Sequence, residues 1–307
     1  PPDDARDFIL TQAFADATLN LTSLSGHGTI RCDWSALPGP TTDLRSLGID
    51  QDSDTTFHGM ILSHHGGGDR IRNVGITKSG AGTLTLAGTV GRQLTASAGS
   101  DDQVVITLEE GALILTGDNT RQGPVTIATG TTLQVGDGGT TGTLGGAGTV
   151  ALDGSLVIDR DGSFELPADL SGPGTLTKAG PGTVVLGGNS IGFTGPTDIQ
   201  AGTVHFNDDY SASPVTVASG AAVAAGGTDA PGLGFVKTLT LEGGSTSTFR
   251  AGIEADLLTV IEADGFTVNG PHVISAVSAG GLFPGESVPI IDYDGTFSGF
   301  ENLSLAP

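Results

Sequence analysis

Residues 76–88 read ITKSGAGTLTLAG and residues 176–188 read LTKAGPGTVVLGG, identical at Thr77/Thr177, Lys78/Lys178, Gly80/Gly180, Gly82/Gly182, Thr83/Thr183, Leu86/Leu186 and Gly88/Gly188. A chain that repeats itself this closely has few folds open to it, because each copy has to find the same surroundings. Two of the chain's lysines, Lys78 and Lys178, share one repeat position, and Lys237 is the only other. A second unit runs GPVTIATGTTLQV at 123–135 and GPTDIQAGTVHF at 195–206, and returns more loosely as SPVTVASGAAVAAG at 213–226. Each copy reads as a short strand, a glycine turn and another short strand.

The strands announce themselves by alternation. In 123–135 the apolar Val125, Ile127, Leu133 and Val135 alternate with Thr and Gln, the period of a strand with one buried face. Gly130 lies between the two strands, where the turn calls for a positive φ. The same alternation recurs at Leu84/Leu86, Val104/Ile106/Leu108, Leu113/Leu115, Val150/Leu152, Leu156/Ile158, Val184/Leu186, Val204/Phe206, Val215/Val217, Leu239/Leu241, Leu258/Val260 and Phe266/Val268. No window carries a helical period with caps, and a chain with 51 Gly and abundant Thr penalises helix throughout.

Short strands at such intervals suit a β-sandwich, a barrel or a parallel solenoid. Self-similarity selects the solenoid, since there each coil meets a near copy of itself and one pattern of inward aliphatics and corner glycines serves them all. At roughly 20–25 residues per coil and about 4.8 Å per step, the expectation is about a dozen coils and a rod of roughly 60 Å. Glycine without a three-residue period excludes collagen. A net charge of −22, from 12 basic and 34 acidic residues, excludes nucleic acid and anionic lipid as partners. With 15% charged and 37% hydrophobic residues the chain is not disordered, and no apolar run is long enough to insert in a membrane. The first residue is Pro1 rather than Met, so a mature segment cut from a longer precursor is expected. Cys32 has no second cysteine to pair with and is expected as a small buried side chain.

LTKAGPGTVVLGGNSIGFTGPTDIQAGTV at 176–204 resembles the passenger-associated transport repeat of bacterial autotransporter passengers, GxLTKxGxGTLxLxGxNxYxGxTxIxxGTL, with Phe193 at the aromatic position. LTSLSGHGTI at 21–30 and TTFHGMI at 55–61 look like the lead-in to such a repeat, and VPIIDYDGTFSGFENLSL at 288–305 is similar to the closing strands of such passengers. The resemblance implies an all-β, single-stranded, right-handed parallel β-helix, exported and displayed outside the cell. It implies no activity, because the repeat is scaffold.

The search for chemistry assigns no catalytic, cofactor-binding or metal-ligating residue. Asp50, Asp52 and Asp54 alternate as Ca²⁺ ligands can, but Thr55 stands where an EF-hand needs Gly and Ile61 where it needs Glu, so a polar loop is expected. His64 and His65, near His58, point oppositely if extended and lead into Gly66, Gly67 and Gly68; a solvated loop is expected rather than zinc. The acidic pairs Asp101/Asp102, Glu109/Glu110 and Asp208/Asp209 have no evident basic partner of the kind that polysaccharide-cleaving solenoids use. GGAGTV at 145–150 opens no helix and reads as a turn. Asn20 and Asn302 begin sequons, and outward threonines offer hydroxyls to glycans, neither of which decides a function.

A solenoid leaves unpaired strand edges at its two ends. Residues 1–60 hold Phe8, Phe14, Trp34, Phe57, Cys32 and the only Met, and are expected to form an N-terminal cap or assembly segment; 61–270 form the repetitive solenoid and 271–307 the closing coils. Nothing amphipathic closes the far end, so a second copy is expected to stack there head to tail. DFILTQAF at 7–14 is a candidate for strand addition. The leading expectation is a non-enzymatic extracellular structural protein that self-assembles into a filament. An adhesin or carbohydrate-binding passenger is the second, and a polysaccharide lyase or hydrolase the third.

Overall fold

A computed structural model describes residues 7–10, 18–32, 43–63, 72–92, 103–146, 148–252, 254–280 and 286–306. His64, His65, Asp101, Asp102, Phe14 and Trp34 lie outside them, as do the side chains of Phe8 and Cys32. The chain divides into two units, Pro1–Ser155 and Leu156–Pro307, each a parallel β-solenoid.

In the first unit three sheets grow one strand per coil. One holds Asp7–Leu10, Thr29–Cys32, Met60–Ser63 and Val90–Arg92. The next holds Thr18–Leu21, Asp43–Asp50, Arg72–Ser79, Val104–Leu108, Val125–Ile127 and Thr149–Leu152, and the third Thr55–Phe57, Thr83–Leu86, Ala112–Leu115 and Thr132–Val135. In the second unit one sheet runs through Thr175–Lys178, Thr197–Ile199, Asp209–Val217, Leu233–Glu242, Leu257–Val260 and Ile291–Tyr293. Another runs through Ser163–Leu166, Thr183–Leu186, Thr203–Phe206, Ala222–Ala225, Thr246–Gly252, His272–Gly280 and Leu303–Leu305. A short pair, Asp169–Gly172 with Gly192–Phe193, completes the unit's first coils.

The pairing is parallel and in register, with Leu84 beside Leu113 and Leu113 beside Leu133. In the other unit Val184 lies beside Val204 and Val204 beside Val223. Each inward position therefore becomes a column, and all the alternating aliphatics of the sequence, Leu86 and Leu186 among them, are buried. Burying such surface contributes about 25 cal/mol per Å².

Coil length departs from the expected 20–25 residues. Partners on adjacent coils are 29 residues apart at Asp54 and Thr83, 24 at Asn119 and Thr143, 20 at Leu170 and Ser190, and 32 at Asp264 and Thr296. Register is held by strands of a few residues, so corners lengthen without disturbing the columns. Where the chain stays tight the corners stack by backbone: a Cβ on Gly88 would fall on the carbonyl oxygen of Gly59, and one on Gly117 on that of Gly88. Gly130 takes the expected positive φ, +81°. The described residues contain no α-helix, and no helix long and apolar enough to cross a membrane.

Candidate functional site

The three aspartates that alternate like Ca²⁺ ligands are spent on the next coil. Asp54 Oδ1 accepts from the backbone N–H of Thr83 at 2.7 Å, Asp52 Oδ1 from that of Ala81 at 3.2 Å, and Asp50 Oδ1 from the hydroxyl of Ser79 at 3.2 Å. They form a polar corner that fixes the coil above it. Among the described residues no group of three or more His, Cys, Asp or Glu is placed to hold a metal ion. His58 is exposed and stacks on His27 of the preceding coil, with ring centroids 4.9 Å apart. The carboxylates of Asp208 and Asp209 accept backbone N–H groups of Asp209 and Ser211, local turn contacts.

Glu110 does have a cation nearby, which the sequence did not reveal. Lys78 is fully buried, and its Nζ donates to the carbonyl oxygens of Ser79 and Gly80, both at 2.7 Å, and of Glu110 at 3.3 Å. Burial lowers its pKa, opposed by the charges of Asp50, Glu110 and Asp52. Lys178 repeats the arrangement: its Nζ donates to the carbonyl oxygens of Gly180 and Ala201, and burial brings its pKa down to about 8 against the pull of Asp159. Arg121 is buried too, with Nη1 donating to the carbonyl oxygens of Gly123 at 2.7 Å and Val104 at 3.2 Å, and burial lowers its pKa to about 10. These cations have stems in the core and heads on corner carbonyls, out of reach of any substrate. The sequence signal was the shared repeat position of two lysines where alternation calls for an apolar residue.

The last described coil of the second unit keeps the register of those beneath it. Leu258 and Val260 point inward, and their register partners on the last described coil are Ile291 and Tyr293. His272 and Ile274 are likewise inward, and their partners are Leu303 and Leu305. Those four side chains continue the core columns, yet none is buried, and Leu305 is 75% exposed. From the buried Phe266 an aromatic run climbs onto this coil: Phe297 stacks on it at 4.9 Å, Tyr293 meets Phe297 edge-on at 5.1 Å, and Phe300 meets Phe297 at 5.8 Å. Phe300 is 72% exposed. The coil is held from beneath, as Asp264 Oδ1 accepts from the backbone N–H and hydroxyl of Thr296, and Asn302 Nδ2 donates to the Val268 carbonyl oxygen at 3.0 Å. The sequon amide of Asn302 is thereby committed to the fold, whereas Asn20 is exposed on its strand. Asp292, Asp294 and Glu301 on this coil are exposed.

In the first unit, residues 18–30 belong to its first described coil. Leu19, Leu21, Leu24, Ile30 and Phe57, with His27 at the rim, line an apolar cavity of about 200 Å³.

Parallel coils with aliphatic columns and corner clamps define a β-solenoid. Residues 76–90, 109–135 and 176–205 match the passenger-associated-transport-repeat model. The middle match is longer than the 123–135 unit of the sequence pattern. No curated protein and no solved structure matches the chain.

Proposed function

We propose that this protein is a non-enzymatic structural β-solenoid of the autotransporter-passenger kind, working outside the cell and assembling head to tail into a filament or matrix fibre. The observation that carries the reading is the in-register parallel stack, Leu84, Leu113 and Leu133 in one unit and Val184, Val204 and Val223 in the other, in which each strand pairs edge to edge with a near copy of itself. The strand edges of such a stack template further pairing with like strands. A repeat family found in exported passengers supports the extracellular placement. Purified protein examined by negative-stain microscopy and sedimentation velocity is expected to form end-to-end oligomers that lengthen with concentration. Monomers at every concentration would overturn the proposal.

A second reading, a glycan-binding passenger, draws on the exposed rings of Tyr293 and Phe300 beside Asp292 and Asp294, since aromatic faces flanked by acceptors suit a sugar ring. Glycan-array binding by a monomeric preparation, lost in Phe300→Ala, is the outcome that would favour it.

A further inference from the structure

We infer that Asn269 and Gly270 form a self-modifying site, at which the exposed side-chain amide is slowly lost and the coil that carries it gains a carboxylate. Asn269 is the one asparagine of the chain followed by glycine. It closes the strand Phe266–Asn269 of the second unit, and its exposed side chain is tied through Nδ2, which donates to Oε1 of its register partner Glu242 at 3.1 Å. The nitrogen of the following residue decides whether such an amide reacts, because it attacks the side-chain carbonyl when it is neither committed to a hydrogen bond nor crowded by a side chain. Gly270 lies beyond the strand, its N–H donates to no backbone carbonyl among the described residues, and it has no Cβ. Other asparagines differ. The Thr120 N–H, after Asn119, donates to the Val90 carbonyl oxygen at 3.2 Å, and the Ser190 N–H, after Asn189, to that of Asp209 at 2.9 Å. The Leu303 N–H, after Asn302, donates to the Phe300 carbonyl oxygen. Asn20 and Asn207 are followed by the bulkier Leu21 and Asp208. The corner itself keeps the glycine, since Gly270 has φ +113° and a Cβ there would stand 3.2 Å from Gly243 Cα.

The step balances with water as its one co-reactant. The Gly270 nitrogen gives up its proton and bonds to Cγ of Asn269, while the bond from Cγ to Nδ2 breaks and Nδ2 leaves with that proton as ammonia. The cyclic imide that remains adds water. Opening at Cγ gives an aspartate at position 269 in the ordinary main chain; opening at the main-chain carbonyl gives an isoaspartate, whose main chain runs through Cβ and Cγ and is one methylene longer. Either product replaces an amide donor by a carboxylate facing Glu242, and like charges across neighbouring strands are destabilising. The longer product also strains a pinned corner. Between Phe266–Asn269 and His272–Gly280 the chain is held to the coil beneath by the Gly244 N–H, which donates to the Pro271 carbonyl oxygen at 2.7 Å. The inference is independent of the assembly reading, since every group it uses lies within the second unit.

The test incubates residues 1–307 at pH 8 over days and follows proteolytic peptides by mass spectrometry, with isoaspartate identified by electron-transfer fragmentation and released ammonia measured. Conversion is expected at position 269, as isoaspartate and aspartate together, with Asn119, Asn189 and Asn302 retained and one ammonia released per chain. Asn269→Gln, which keeps an amide at the exposed position, is expected to release none. In urea, where the Ser190 N–H is freed from Asp209, Asn189 is expected to react as well. Asn269→Asp stands for the product with the ordinary main chain. It is expected to melt at a lower temperature than the unaltered protein, and Glu242→Gln in the same chain is expected to restore the loss by supplying a donor. Retention of Asn269 in the folded protein, or conversion of Asn189 as fast as Asn269, overturns the site. Melting of Asn269→Asp at the temperature of the unaltered protein overturns its effect on the coil.

Discussion

Lys78 stands in a column between Ile49 and Leu108, and Lys178 beside Ile199. Its four methylenes take the place of an aliphatic side chain while the ammonium turns back to the corner carbonyls, an inward form of snorkelling. Lys178→Ala removes both functions and is expected to lower the unfolding free energy by about 2–4 kcal/mol, with Lys178→Met losing less because the stem is kept. The pH dependence separates charge from packing. The folded pKa near 8 lies below the ordinary 10.5, so between those values the unfolded chain binds more protons and stability rises with pH. Thermal melts at pH 8 and pH 10 are expected to show that rise in the unaltered protein and a smaller one in Lys178→Met; equal slopes would contradict a buried ammonium. His272 acts at the other end of the scale. Its ring nitrogens lie 2.7 Å from the Ser245 hydroxyl and 3.0 Å from that of Ser247, and burial lowers its pKa to about 4. Between that value and the ordinary 6.5 the unfolded state takes up the extra proton, so stability falls as pH drops through this window. Urea unfolding at pH 7 and pH 5 is expected to register the fall, and His272→Asn to flatten it.

Strand and corner are the elements on which the solenoid is built, and they were legible to different degrees. Every apolar pair picked out by alternation is buried, from Leu84/Leu86 to Phe266/Val268, because a period of two has one meaning when a single face is covered. Coil length was not legible: corners vary freely between strands that keep their register, as the 29- and 20-residue steps show. Nor was the exposure of Ile291/Tyr293 and Leu303/Leu305, which alternate like any inward pair. The corners carry a further expectation. Gly88→Ala drives a Cβ into the Gly59 carbonyl and forces two coils apart, costing about 1–3 kcal/mol or more. Gly130→Ala, with open space around it, costs only the left-handed penalty of about 1–2 kcal/mol. Chemical unfolding of the two variants is expected to rank them in that order, and the reverse order would mean that the corners do not stack.

At the scale of the molecule, charge and register govern behaviour. With a net charge of −22 and four of its 12 basic residues, Lys78, Lys178, Arg121 and Arg160, buried, the surface is more acidic than the composition implies. Like-charged copies repel across about 10 Å at 0.1 M salt and about 30 Å at 0.01 M. End-to-end association is therefore expected to strengthen as salt rises over that range, read by sedimentation velocity; weakening would mean that ion pairs hold the copies together. All of this stands on the in-register parallel stack. Methyl-labelled protein in a nuclear Overhauser experiment measures it directly: cross-peaks are expected from Leu84 to Leu113, Leu113 to Leu133, Leu86 to Leu115 and Leu115 to Val135, in two unbroken ladders. Crossed peaks joining Leu84 to Leu115 and Leu86 to Leu113 in their place would mean antiparallel pairing and would contradict the account.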